Sequence, residues 1–158
     1  MTGVPQLGSR GGGWVVSQFA LIALIVVAGV VGPGWPDSAQ GARQAVGAML
    51  ALAGIVVAAL SARALGPSLT PFPQPSAGAA FVAHGPYRLV RHPIYLGGIL
   101  FLSGISVLLS PWALVLTAAL GLLWAMKTHV EERFLRERFP EYAAYCERTR
   151  FRLVPFVY

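Results

Sequence analysis

His92 is flanked by Arg91 and Pro93, and Tyr95 follows three residues later. In a helix starting at Pro93, His92 and Tyr95 share one face. The proline fits the first turn, where its missing N–H costs nothing. Free N–H groups at such a helix start, with Arg88 and Arg91 beside them, would seat a carboxylate or phosphate. Farther along, Glu131 and Glu132 could accept hydrogen bonds from hydroxyls or face a cationic centre. On an ordinary helix they would only pair with Lys127 and Arg136 at i±4 spacing. Tyr142 and Tyr145 sit one turn apart and lead into Arg148, Arg150 and Arg152. Arg150 and Arg152 read as contacts with anionic lipid headgroups. No Gly-rich phosphate loop and no G-x-S-x-G elbow occurs. His84, His92 and His129 are scattered, without cysteine or carboxylate spacing to match, so no metal is expected. The lone Cys146 excludes an internal disulfide.

These residues border long apolar runs. Of 158 residues 56% are hydrophobic and only 11% charged, against about 25% charged in a soluble domain. That balance predicts an integral membrane protein, and polar groups at the edge of a span are expensive to keep without a function. The net charge of +6 follows topology rather than nucleic acid, because the basic residues flank the apolar runs.

Spans are expected at 14–31 and 44–62. From Pro93 to Met126 there are 34 residues without a charge or a histidine. As one helix they would be about 51 Å long, against roughly 30 Å of hydrocarbon. Ser110-Pro111 in the middle predicts two short helices, near 94–109 and 112–128, joined by a tight turn. A hairpin crossing only part of the bilayer is the alternative. The fold class expected is therefore all-α: a polytopic membrane bundle of about four transmembrane helices, the last two a tight hairpin, with a C-terminal helical tail. Eleven of the twelve basic residues fall on one side; Arg43 falls on the other, with Asp37. The positive-inside rule then puts both termini and the 63–92 loop in the cytoplasm. The first apolar run is long for a signal peptide and ends without a small-residue cleavage site, so no cleavage is expected.

Gly47, Ala51 and Gly54 predict close helix packing in the second span. The alternating prolines Pro71, Pro73 and Pro75 predict an extended connector, and Phe81, Val82 and Ala83 suggest that it lies on or in the membrane surface. The tail is expected to start as a separate charged helix from about Glu131, with Phe134, Leu135 and Phe139 on its apolar side and Pro140 ending it.

Gly85-Pro86-Tyr87, then Arg91-His92-Pro93-x-Tyr95, then Glu131-Glu132, then Phe139, Tyr142 and Tyr145 with Arg148, resemble the isoprenylcysteine carboxyl methyltransferase and phospholipid methyltransferase superfamily. The Leu69–Pro75 run looks like its bacterial members, which implies a bacterial inner (plasma) membrane. The resemblance covers about residues 65–155; the first two spans match in topology only. It implies a single membrane methyltransferase domain over 1–158, with the cofactor-binding and catalytic part in 65–158. The cofactor implied is S-adenosylmethionine, in a pocket open to the cytoplasm, with a lipophilic substrate entering from the bilayer. Carried over, Arg91, His92 and Tyr95 hold the methionine part of the cofactor. Glu131 and Glu132 serve its ribose or amino group, and Gly85 and Tyr87 shape the adenosine side. Arg148, with Tyr145, faces the methyl acceptor. The chain departs from the eukaryotic enzyme in being shorter and in having Pro140 where glycine usually follows Phe139.

The resemblance favours methyl transfer to a lipophilic carboxylate such as that of an isoprenylcysteine-like molecule, with membrane lipids as surroundings and no nucleic acid or obligate protein partner. A carboxylate is already ionised at neutral pH and needs no base; orientation and exclusion of water are then the main tasks. A phospholipid amine or small thiol acceptor would need a base, and His92 or a glutamate is nearest. An NADPH-dependent membrane reductase is a further alternative, but those enzymes usually carry Asn after His-Pro and Glu after the next Gly, where this chain has Ile94 and Gly98. A noncatalytic lipid-binding protein is the last.

Overall fold

A computed structural model describes residues 8, 10–36 and 39–157. Asp37, placed above on the Arg43 side, and Tyr158 lie outside them. Helices α1 (Gly12–Val31), α2 (Gln40–Leu65), α3 (Pro93–Leu109), α4 (Pro111–Arg138) and α5 (Tyr142–Arg148) follow in order, with no strand among the described residues. Three of them, α1, α2 and α4, are long and apolar enough to cross a membrane, and α3 is a shorter apolar helix. The protein is an all-α polytopic membrane bundle. Its outer surface agrees: Val26, Val30, Leu52, Ile55 and Leu122 are each more than half exposed, which suits lipid and not water.

The hairpin between α3 and α4 forms as its sequence predicts. Ser110 is extended, at φ −159°, and Pro111 starts the next helix. The Ser110 hydroxyl donates to the Pro33 carbonyl at 2.9 Å, and the Trp35 indole N–H donates to the Ser106 carbonyl at 3.2 Å. Both bonds tie the α1–α2 connection to the same end of the bundle.

Expectation and structure differ along α4. No separate charged helix begins near Glu131; α4 continues unbroken from Pro111 to Arg138. The change from apolar to charged residues is a change of surroundings, and none of those residues breaks a helix. The break comes at Phe139, extended as the residue before a proline prefers to be. At 1.5 Å per residue α4 is about 42 Å long and α3 about 26 Å. The carboxylates of Glu131 and Glu132 thus ride on a rigid extension of a span.

Small residues set the packing of α2 on α3. A Cβ on Gly97 would lie 2.6 Å from the backbone nitrogen of Ala58, and one on Gly47 would lie 2.7 Å from Leu108 Cγ. The two backbones approach where side chains are absent, the usual device in lipid. On the other side α1 packs on α4 through Ile25, Ala113, Leu120 and Trp124. The bundle therefore has α3 and α4 at its centre, with α2 against α3 and α1 against α4.

The proline-rich connector is irregular, as expected, but it is tied to the bundle. The Lys127 ammonium donates to the Pro71 carbonyl at 2.7 Å, Arg138 donates to the Ala77 carbonyl, and the Arg10 guanidinium stacks over the Phe72 ring. Phe81 faces the C-terminal tail. It packs on the rings of Phe139, Tyr142 and Tyr145, with centroids 5.6, 6.1 and 5.4 Å away.

Candidate functional site

The 85–95 segment is shaped by Gly85, whose φ of +59° is open to glycine at little cost. It begins a tight 3-10 turn, Gly85–Arg88, that buries Tyr87. The chain then passes through Arg91 and His92 without regular structure. Their backbone N–H groups donate to the carbonyls of Phe151 and Arg152 at 3.0 and 2.9 Å. The tail thus returns beside the segment, and His92 caps α3.

Opposite stands α4. Glu132 is 3% exposed and meets three cations within 3.4 Å, with the exposed Arg136 at 3.9 Å. Arg91 Nε donates to Oε1 at 2.8 Å, Arg152 donates to both oxygens at 3.0 and 3.2 Å, and His92 Nε2 lies 3.3 Å from Oε1. Glu131 lies 3.4 Å from His92 Nδ1 and accepts the Tyr95 hydroxyl. Both imidazole nitrogens of His92 therefore face carboxylates, and only the imidazolium form donates from both. Burial opposes that charge, yet hydrogen bonds and attraction from Glu131 and Glu132 outweigh it and raise the His92 pKa above its ordinary value. Burial is also the main cause raising the phenol pKa values of Tyr87, Tyr142 and Tyr145, so all three are neutral hydroxyls at neutral pH.

A cavity of about 630 Å³ opens above this network, within the range usual for small-molecule sites. Its polar end holds Arg91, His92, Tyr95, Glu131 and Lys127. Its apolar walls include Phe19 of α1, Ala58 and Leu65 of α2, Gly98 of α3 and Trp124 of α4. The proline-rich connector covers it through Leu69, Phe72 and Pro73. Tyr95 stacks on Trp124 and on His92 with centroids 5.1 and 5.9 Å away, and the Lys127 ammonium lies over its ring, 5.3 Å from the centroid.

The residues singled out from sequence divide in two. Tyr87, Arg91, His92, Tyr95, Glu131 and Tyr145 line the cavity. Gly85, Glu132 and Arg148 do not. Gly85 shapes the turn behind the wall, and Glu132 lies beneath it as the partner of Arg91 and His92. Arg148 ends α5 with its side chain exposed to the outside. Tyr145 spends its hydroxyl on the Tyr87 carbonyl at 2.7 Å.

Four residues were missed or read too plainly. Tyr142 lines the cavity at 2% exposure, and its hydroxyl has no hydrogen-bond partner among the described residues. Arg152, read as a lipid contact, is a clasp on Glu132. Lys127, read as a topology marker, is fully buried. Gln18 interrupts the first apolar run and accepts from Lys127 at 2.7 Å and from the Trp124 indole at 3.2 Å. A polar residue inside a span was the available signal for Gln18 and Lys127.

Residues 42–142 match the family model for phospholipid methyltransferase. The chain is also similar to the cobalt-zinc-cadmium resistance protein CzcN of Cupriavidus metallidurans, 39% identical over 70 residues, which is 43% of this chain. The matched stretch spans only 32% of that relative's length.

Proposed function

Because the chain belongs to the phospholipid methyltransferase family, and so is a membrane methyltransferase, we propose that it transfers methyl groups from S-adenosylmethionine to the carboxylate of a lipophilic acceptor. The acceptor class that fits is an isoprenylcysteine-like acid, methylated at the cytoplasmic face of a bacterial inner membrane with both chain termini in the cytoplasm. The observation that carries this reading is the cavity itself. It joins an ionic end, built from Arg91, His92, Tyr95 and Glu131, to apolar walls on α1 and α2.

The residues present fit the cofactor. Glu131 offers a carboxylate to an amino group or ribose hydroxyls. Arg91 and the imidazolium of His92 offer charge to a carboxylate, and Trp124 offers an apolar wall. When bound, S-adenosylmethionine supplies an activated methyl group on that sulfur. The protein has little else to do than hold partners in line and keep water out. Glu132 acts behind the wall by fixing Arg91 and His92, and Tyr87 shapes the pocket. Arg148, exposed at the end of α5, is better placed for lipid headgroups than for the acceptor.

The test is ligand binding by the purified protein in detergent. S-adenosylhomocysteine should raise its thermal midpoint, and Glu131→Gln should abolish that rise. Stabilisation by NADPH in place of the adenosyl ligand would overturn the reading.

A further inference from the structure

Lys127 is 0% exposed and lines the cavity. Its position along α4 sets its depth. It stands sixteen residues beyond Pro111, about 24 Å along the axis, inside a hydrocarbon layer of roughly 30 Å. Glu131 lies one turn farther, near the boundary. A cation at that depth is expensive unless something neutralises it.

Among the described residues nothing does so fully. The ammonium spends two of its three donors on neutral oxygens, Gln18 Oε1 and the Pro71 carbonyl, each at 2.7 Å. The carboxylate oxygen recorded beside it is Glu131 Oε1 at 3.9 Å, which already accepts the Tyr95 hydroxyl. The surrounding charges do not leave a carboxylate over. Glu132 is held by Arg91 and Arg152, and Glu131 faces His92. Five cations thus meet two carboxylates; Lys127 and Arg136 come no nearer to one than 3.9 Å, and of these two Arg136 is exposed to solvent and Lys127 is buried.

The neighbours of Lys127 indicate where the missing anion comes from. Gln18 and Phe19 are adjacent on α1 and both line the cavity, and Phe19 is 54% exposed on the lipid-facing surface. Lys127 therefore stands where the cavity meets the membrane side, a turn deeper than the ionic cluster of Glu131 and His92.

We propose that Lys127 binds the carboxylate headgroup of the lipophilic acceptor and selects acidic over neutral or basic amphiphiles. The inference rests on the methyltransferase reading for the meaning of the acceptor, but not for the binding itself. In the reaction that follows, one oxygen of the held carboxylate forms the bond to the methyl carbon. The sulfur–carbon bond breaks with its electron pair returning to sulfur. The anion and the sulfonium become a neutral ester and a neutral thioether, and no proton moves. Once neutral, the ester loses its hold on the ammonium, which favours release into the bilayer.

The probes are decanoate, decanol and decylamine, three amphiphiles of one chain length and different charge, titrated by thermal shift against the purified full-length protein. Wild type should bind decanoate about tenfold or more tightly than decanol, and decylamine least. Lys127→Met should lose that preference, and Lys127→Arg should retain most of it. A wild-type protein with no preference for decanoate overturns the proposal without recourse to any variant. So does a Lys127→Met protein that keeps the preference, since Lys127 would then only staple α1 and the connector to α4. S-adenosylhomocysteine is titrated in parallel and should bind Lys127→Met as it binds wild type. If that variant loses the adenosyl ligand and keeps the decanoate preference, the anion is the cofactor's own carboxylate and the proposal fails. If wild type prefers decanoate but binds no adenosyl ligand, the methyltransferase donor is wrong while the role of Lys127 stands.

Discussion

Arg91 Nε and Glu132 Oε1 lie 2.8 Å apart and join residues 41 positions distant in sequence. The pair is nearly sealed from solvent, with side chains 10% and 4% exposed. Arg91 also donates to the Thr149 and Arg150 carbonyls at 3.0 and 3.1 Å. One guanidinium therefore ties the start of α3, the extension of α4 and the returning tail together. The two adjacent glutamates have different tasks: Glu132 holds the wall, and Glu131 faces the cavity.

That division is open to measurement. Glu132→Ala leaves Arg91 and Arg152 without their shared carboxylate, and breaking a buried pair from one side costs about 3–5 kcal/mol. Its thermal midpoint in detergent should fall by many degrees. Glu131→Ala should cost less stability and more affinity for S-adenosylhomocysteine. Equal loss of stability in the two variants would contradict the assignment.

His92 gives the site a pH dependence of known sign. Its pKa is raised in the folded protein because Glu131 and Glu132 outweigh burial. The stabilisation is fully present below the ordinary histidine value of about 6.5 and is lost as pH rises through the higher folded value. The thermal midpoint of wild type should therefore decline across that window, and His92→Gln should flatten the decline. Groups facing the imidazole change this balance too, so Glu131→Gln should lower the pH at which the decline ends and make it smaller. A wild-type midpoint that rises with pH across the window would refute the imidazolium.

Tyr142 and Tyr145 neighbour each other on α5 but differ in partners. The Tyr145 hydroxyl donates to the Tyr87 carbonyl, and the Tyr142 hydroxyl has no partner among the described residues. Tyr145→Phe leaves a buried carbonyl unpaired and should cost about 1–3 kcal/mol of stability. Tyr142→Phe should leave stability unchanged or slightly higher, while weakening whatever ligand its hydroxyl meets in the cavity. Chemical denaturation separates the two, and S-adenosylhomocysteine titration of Tyr142→Phe measures the second effect.

Much of this architecture follows from local sequence. Apolar runs of membrane length, a proline after Ser110 and glycines at Gly47 and Gly54 dictate spans, a hairpin and close packing, because each acts over a few residues. The motif around His92 and the paired glutamates could likewise be read as one cluster, since charge at the edge of a span has few other uses. What local sequence could not decide is which way each side chain faces once the helices meet. The continuation of α4 past Met126 turns Glu131 into the cavity and Glu132 away from it. The packing of α1 on α4 brings Gln18, 109 residues away in sequence, onto Lys127. The return of the tail beside Arg91 makes Arg152 a clasp and leaves Arg148 outside. These pairings depend on distances between helices, which only the folded chain sets.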